Sequence, residues 1–190
     1  MNKIVLLVFL SIIIYLLLIR NQYEGFDLKI SLEGDKKILS IAEIKVYDTS
    51  NNELILKEPI QSSTDFGGIV SRAIDNDNSG NYYDWTVTHT KKSSNPYLKV
   101  KLPNSIKLNH IGKIIIMNRT DVHTSRLDDA KVQIIDDKNN ILLDLGSTGK
   151  WDSIFSKVWT REKNKWEILD REIININLGA FKFSPRDYKL

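Results

Sequence analysis

Tyr97 to Leu102 reads YLKVKL, with Leu98, Val100 and Leu102 alternating against Lys99 and Lys101. Successive side chains of an extended chain point to opposite faces, so this stretch has one apolar face and one lysine face. The same two-residue period recurs outward from it. Phe26, Leu28, Ile30 and Leu32 alternate with Asp27, Lys29 and Ser31, and Ile44 and Val46 alternate with Glu43, Lys45 and Tyr47. On the C-terminal side, Ile106 and Leu108 predict the start of a strand, and Ile114 to Met117 a more buried one. Val132 and Ile134 continue the series, followed by Ile174, Ile176 and Leu178. Turn signals separate these runs: Asp48 to Asn52, Asn76 to Gly80, Pro103 to Ser105 and Asp136 to Asn140. Many short strands joined by polar turns predict an all-β fold, an antiparallel β-sandwich or barrel. Gly149 to Glu167 is rich in Trp and Lys and breaks the period; it is expected to be a loop with one short strand.

Composition narrows the function classes. The chain has 190 residues, the length of a single domain. The formal charge is +3, and setting aside Lys3 and Arg20 lowers it to +1. A balance so near neutral argues against nucleic acid as the partner. There is no cysteine, so neither a disulfide nor a thiol nucleophile is available.

Ile4 to Ile19, IVLLVFLSIIIYLLLI, holds sixteen uncharged residues between Lys3 and Arg20. As a helix it spans about 24 Å, somewhat short of a bilayer core of about 30 Å, and the flanking Lys3 and Arg20 can snorkel to complete it. A cleaved signal peptide is the rival reading, but no small-residue cleavage pattern follows. The expected organisation is therefore a tip over residues 1–3, a single transmembrane anchor over 4–19, a polar stalk over 20–25 and a β-sandwich over 26–190. The domain is expected on the extracytoplasmic or virion-surface side of the membrane.

Polar and small residues concentrate in Gln61 to Thr90, QSSTDFGGIVSRAIDNDNSGNYYDWTVTHT, and again in Asn118 to Ala130, NRTDVHTSRLDDA. Taken in order, QSST, GG, SRAID, THT, NPYLKVKL, NRTD and RL resemble the F-type lectins, or fucolectins, of the galactose-binding, discoidin-like superfamily. The resemblance covers about Ile38 to Asp136 and implies a jelly-roll sandwich that binds a glycan or glycoconjugate. It further implies a basic trio of His89, Arg119 and Arg126 that donates hydrogen bonds to sugar hydroxyls. Asp121 is implied to hold both guanidinium groups in place. The vicinal cysteine pair of many members is replaced by Val122 and His123. Tyr82 or Tyr83 then offers the apolar wall, and Tyr83 is counted with the sugar-binding set.

The same resemblance implies a structural Ca2+ site. Asp75 corresponds to a side-chain ligand, Arg72 and Asp77 to carbonyl ligands, and Thr86 to a hydroxyl and carbonyl ligand; hard oxygen donors of this kind suit calcium. In typical members the last ligands come from a C-terminal strand. Here the matching pattern, Leu39-Ser-Ile-Ala-Glu43-Ile-Lys-Val46, lies near the start of the domain. This implies a circular permutation, with the Ala42 carbonyl and Glu43 completing the site.

Other readings carry less. No G-x-S-x-G, H-E-x-x-H or Gly-rich phosphate loop is present, so the chain is read as a binding module and not an enzyme. Asn118-Arg-Thr120 is a formal glycosylation sequon, but it lies inside the binding motif and is read as unmodified. The alternative function is a protein or phospholipid adhesion module on the same fold, with the Arg–Asp group reduced to a structural ion pair. A more distant one is a non-catalytic accessory domain.

Overall fold

Three strands align their apolar residues at the centre of the larger sheet. β1 (Asp27–Ser31) lies between β4 (Tyr97–Lys101) and β6 (Lys131–Ile135), antiparallel to both. The register sets Leu98, Ile30 and Val132 in one row and Val100, Leu28 and Ile134 in the next, all fully buried. Lys99, on the opposite face, pairs with Asp27 at 2.9 Å. In this computed structural model residues 9, 11–13, 25–152, 154–162, 165–172, 176–177 and 180–181 are described.

β3 (Lys57–Gln61) and β7 (Ile141–Ser147) are the edges of this sheet, whose order is β3-β4-β1-β6-β7. Pro59 fits an edge, where its missing N–H leaves no ladder bond unmade. The register slips between Lys57 and Ile60 around it. The second sheet has the order β2-β5-β8-β9, from β2 (Glu43–Asp48), β5 (Ile111–Met117), β8 (Ile154–Glu162) and β9 (Lys165–Glu172). Ile44 pairs with Ile116 and Val46 with Ile114, and these residues join the core of the first sheet. The two sheets thus close one hydrophobic core as an antiparallel sandwich. A short two-stranded hairpin, β10 (Ile176–Asn177) with β11 (Ala180–Phe181), follows.

Two tryptophans fill the interior. Trp151 and Trp159 are fully buried, and their indole N–H groups donate to the Leu127 carbonyl (2.8 Å) and the Leu145 carbonyl (3.3 Å). Trp159 belongs to β8 and Leu145 to β7, so this indole crosses the core from one sheet to the other.

Several expectations are corrected. Gly149 to Glu167 is no loop: β8 and β9 form a long hairpin with Val158 opposite Leu169 and Trp159 opposite Ile168. Its outer strand exposes Ile168 and Leu169, so the buried-exposed contrast that marks a strand in sequence is blurred there. Ile106 and Leu108 start no strand. Ile106 lies in a turn, bonding back to Pro103, and Leu108–His110 is a single 3-10 turn leading into β5. Of Ile174, Ile176 and Leu178, only Ile176 is described, in β10; the other two lie outside the described residues.

Of the expected anchor, Phe9 and Ser11 to Ile13 are helical, and the remainder of residues 4–19 lies outside the described residues. Among the described residues no helix is long and apolar enough to cross a membrane.

The buried tryptophan gives a direct test of this packing. Trp159→Ala is expected to lower unfolding stability by about 3–5 kcal/mol, as large aromatic truncations in a core do. Trp85→Ala, at a position that is mostly exposed, is expected to cost under about 1 kcal/mol. Urea unfolding of the two variants with equal losses would contradict the placement of Trp159.

Candidate functional site

The functional stretch is held by hydroxyls standing in for a β-ladder. Thr88 and Thr90 lie beside Leu39 and Ile41. Their backbone amides donate to the Ile41 and Leu39 carbonyls at 2.9 and 3.0 Å. In return the amides of Ile41 and Leu39 donate to the Thr88 and Thr90 hydroxyls, each at 2.9 Å. His89, between the two threonines, is fixed from a second direction. Its amide donates to the Gly68 carbonyl (3.0 Å) and its carbonyl accepts from Asp65 (2.9 Å). A Cβ on Gly68 would come within 2.4 Å of the His89 backbone, so only glycine allows the approach.

The second half of the site follows β5. Asn118 is wholly buried; its side-chain amide donates to the Thr124 carbonyl (2.8 Å) and its Oδ1 accepts from the Arg119 amide (2.8 Å). This buried, doubly bonded amide agrees with reading the sequon as unmodified. Gly80 supports the same turn: with φ at +66° it accepts from Thr120 at 2.8 Å, and a Cβ there would approach the Asn118 carbonyl to 2.7 Å.

Arg119 is only 2 % exposed. Asp121 meets it with two parallel bonds, Nε to Oδ1 at 2.5 Å and Nη2 to Oδ2 at 2.6 Å. The Tyr82 ring lies 5.1 Å from the Arg119 guanidinium carbon. The remaining nitrogen, Nη1, is buried with no hydrogen-bond acceptor. An unpaired charged donor costs the protein free energy that an incoming acceptor relieves.

The trio is assembled differently from the expectation in two respects. Among the described residues Asp121 bonds Arg119 alone; it reaches Arg126 only through longer-range attraction. Arg126 instead donates from Nη1 to Nε2 of His89 at 2.7 Å. The other ring nitrogen of His89 lies 2.9 Å from the Thr90 carbonyl, which fixes the proton on Nδ1. Both ring nitrogens are thus engaged, and His89 has no donor free for a sugar. Burial first, and the charge of Arg126 second, hold the imidazole below its ordinary value of 6.5, keeping it neutral as an acceptor. Arg126 is likewise lowered, by burial and then by Arg119.

Aromatic rings wall this polar centre. Phe66 packs edge-on against His89 at 5.2 Å and Tyr82 lies tilted at 6.0 Å. Tyr83, counted with the sugar contacts from sequence, touches only the edge of Tyr82 (5.7 Å) and is 72 % exposed. Tyr82 therefore takes the position given to Tyr83, while Phe66 (66 % exposed) adds a wall that the sequence did not single out. Its signal lay in Asp65-Phe-Gly-Gly68, where a large apolar residue precedes two glycines in a polar stretch. Trp85, in the left-handed region at φ 63°, covers the Arg72 guanidinium at 5.3 Å.

Of the residues assigned to calcium, Asp75, Asp77 and Thr86 are linked through one loop. Arg72 lies within the 3-10 turn Val70–Ile74, which Asp75 caps at its C-terminal end, and Arg72 donates to the Val87 carbonyl at 3.1 Å. Asp75 Oδ1 accepts from the Asp77 amide (3.0 Å), and Asp77 Oδ1 accepts from the Ser79 amide (2.9 Å). Ser79 donates its hydroxyl to Thr86 (3.0 Å), whose own hydroxyl donates to the Asn81 carbonyl (3.0 Å). Across from them, Ala42 and Glu43 enter β2, the Ala42 amide donating to Met117 at 2.9 Å. Glu43 is buried, and its Oε2 has no partner; Asn78 Oδ1 is a second buried oxygen without one. Burial, and then the nearby Asp75 carboxylate, push the Glu43 carboxyl up to about 7. Among the described residues no three carboxylate or imidazole groups gather closely enough to hold a metal by themselves. Any cation here must take most of its ligands from carbonyl, amide and hydroxyl oxygens, a donor set for calcium and not for zinc.

Glu43 gives this region a pH signature. A carboxyl raised from 4.5 to about 7 contributes stability that is fully present below pH 4.5 and lost as pH rises through about 7, roughly 3 kcal/mol in all. In chelator-treated protein, the stability of Glu43→Gln relative to the parent is therefore expected to improve by about that amount across this window. Parallel pH–stability profiles for the two proteins would rule out a buried, strained Glu43. No family model, curated protein or solved structure matches the chain.

Proposed function

We propose that the chain is a calcium-stabilised, glycan-binding module on a galactose-binding-type jelly-roll, anchored to a membrane through residues 4–19. The observation that carries this reading is the buried Arg119. Asp121 fixes its guanidinium plane, and Nη1 is left without an acceptor. A preorganised planar donor beside the half-buried Tyr82 ring, with the exposed Phe66 ring against His89, suits a sugar, which offers fixed hydroxyl oxygens and apolar C–H faces together. Arg119 supplies the first contact, Arg126 the second, and Phe66 and Tyr82 the apolar wall. His89 acts indirectly, by holding Arg126.

Calcium fits the neighbouring loop. Among the described residues two buried oxygens lack partners and the Asp75 carboxylate repels the charge of Glu43, an arrangement that costs stability until a hard cation neutralises it. Asp75, Asp77, Thr86, Glu43 and the carbonyls of Arg72 and Ala42 are the residues that hold it, with Asn78 as a further oxygen donor. The ion ties Leu39–Glu43 to the loop that carries the sugar contacts. A permuted strand order accounts for Leu39–Val46 preceding that loop in sequence while lying beside it in space.

A glycan array probed with the full chain, in a polyoxyethylene detergent that carries no sugar, tests the function. Arg119→Ala and Arg126→Ala are each expected to weaken binding by about 2 kcal/mol or more, with the fold retained. Calcium is expected to raise the thermal midpoint and EDTA to reverse the rise, and Glu43→Gln to abolish it. A chain that binds no glycan in calcium, with the two arginine variants altered only in stability, would leave the adhesion-module reading in its place.

A further inference from the structure

Arg126 belongs to two surfaces. One side meets His89; the other lines a groove of about 530 Å3 together with Lys36, Lys37 and Lys92. The volume lies in the usual range of ligand sites. Two Lys-Lys pairs, Lys36-Lys37 and Lys91-Lys92, are far apart in the chain. The fold joins them through reciprocal backbone bonds between Lys37 and Ser93, both 2.9 Å. Gly34 and Asn95 extend the clasp, the Asn95 amide donating to Gly34 at 3.0 Å.

Of the carboxylates at this groove, Glu33 has its own lysine, while Asp128 and Asp129 share one. Glu33 meets Lys131 at 2.5 Å, and Asp128 and Asp129 meet Lys150 at 3.4 and 2.8 Å. Asp35 accepts from the Ser94 hydroxyl at 2.5 Å. Lys36, Lys37 and Lys92 enter no ion pair among the described residues and are exposed. Like charges held on adjacent segments repel one another, and among the described residues none of the three is held in an ion pair. The ammonium groups are mobile point charges, suited to a sulfate or carboxylate group and not to a planar hydroxyl pattern.

We infer that this groove receives an anionic substituent on the glycan, so that the ligand is an acidic oligosaccharide whose neutral ring sits at Arg119 and whose sulfate or carboxylate sits among Lys36, Lys37 and Lys92. The inference rests on the glycan-binding reading of the adjoining site. Arg126 is the hinge between the two subsites, touching the sugar end and the charged end of one ligand.

The experiment compares a fucosylated lactosamine trisaccharide with its galactose-sulfated form, titrated into the full chain in the same detergent. At 50 mM salt the sulfated form is expected to bind about tenfold more tightly, an advantage that shrinks as salt screens the lysines. The triple variant Lys36→Gln, Lys37→Gln, Lys92→Gln changes only exposed side chains. It is expected to lose that advantage while keeping the parent's affinity for the neutral form and its thermal midpoint. Equal affinity of the parent for the two forms overturns the inference and leaves the glycan-binding reading intact. So does an advantage that survives in the triple variant. Failure of both trisaccharides to bind the parent overturns the two readings together. Flotation with phosphatidylcholine vesicles, with and without phosphatidylserine, is the last arm. Phosphatidylserine-dependent capture lost in the triple variant, with no sulfate advantage, assigns the groove to a lipid headgroup instead and overturns the acidic-glycan inference.

Discussion

The pairing of Leu39–Ile41 with Thr88–Thr90 is the constraint on which the site depends. Neither segment is a regular strand, because two of the bonds that a ladder would draw from carbonyls come from threonine hydroxyls. The consequence is positional. Leu39 to Glu43 brings a buried carboxylate to the acidic loop after Ile74, and Thr88 to Thr90 brings His89 to Arg126. One short seam thus sets the geometry of both the proposed cation site and the proposed sugar site.

Electrostatics make the same region costly. Arg119 is buried with its charge answered by a single carboxylate, and Glu43 is buried with another carboxylate nearby. Buried charges of this kind rarely repay their desolvation in stability. Here the sandwich core, with Trp151, Trp159 and two aligned apolar rows, supplies the stability, while the end of the sandwich carries unpaired polar atoms. That division suits the proposed binding role, which needs donors and acceptors kept in place until a ligand arrives. The left-handed backbone at Phe66, Trp85 and His123 lies in the same loops, where strained conformations commonly support function.

Much of the sandwich was legible from the two-residue period. β1, β2, β4, β5 and β6 are strands with one buried face, so Leu28, Val46, Leu98, Ile116 and Val132 announce themselves. β3 hid behind Pro59, which only an edge position permits. β7 hid behind register slips that break its alternation, and β9 behind the exposed Ile168 and Leu169. The polar site residues stood out as types, since an Arg-x-Asp followed by a second Arg in a strand-end loop has a restricted set of uses. Their partners did not. Whether Asp121 bonds one arginine or two depends on the path of the loop between Arg119 and Arg126, and whether His89 donates or accepts depends on contact with Arg126, 37 positions away.

By itself the sequence determined the fold class, the apolar N-terminal run, the absence of thiol chemistry and the residue types gathered in Gln61–Thr90 and Asn118–Ala130. Local periodicity and composition suffice for these because each is a property of neighbours along the chain. Only the tertiary structure decided that Tyr82 and Phe66 wall His89, that Arg119 retains an unanswered nitrogen, and that two distant lysine pairs meet beside Arg126. Those are contacts between segments, set by how the sheets close on their core.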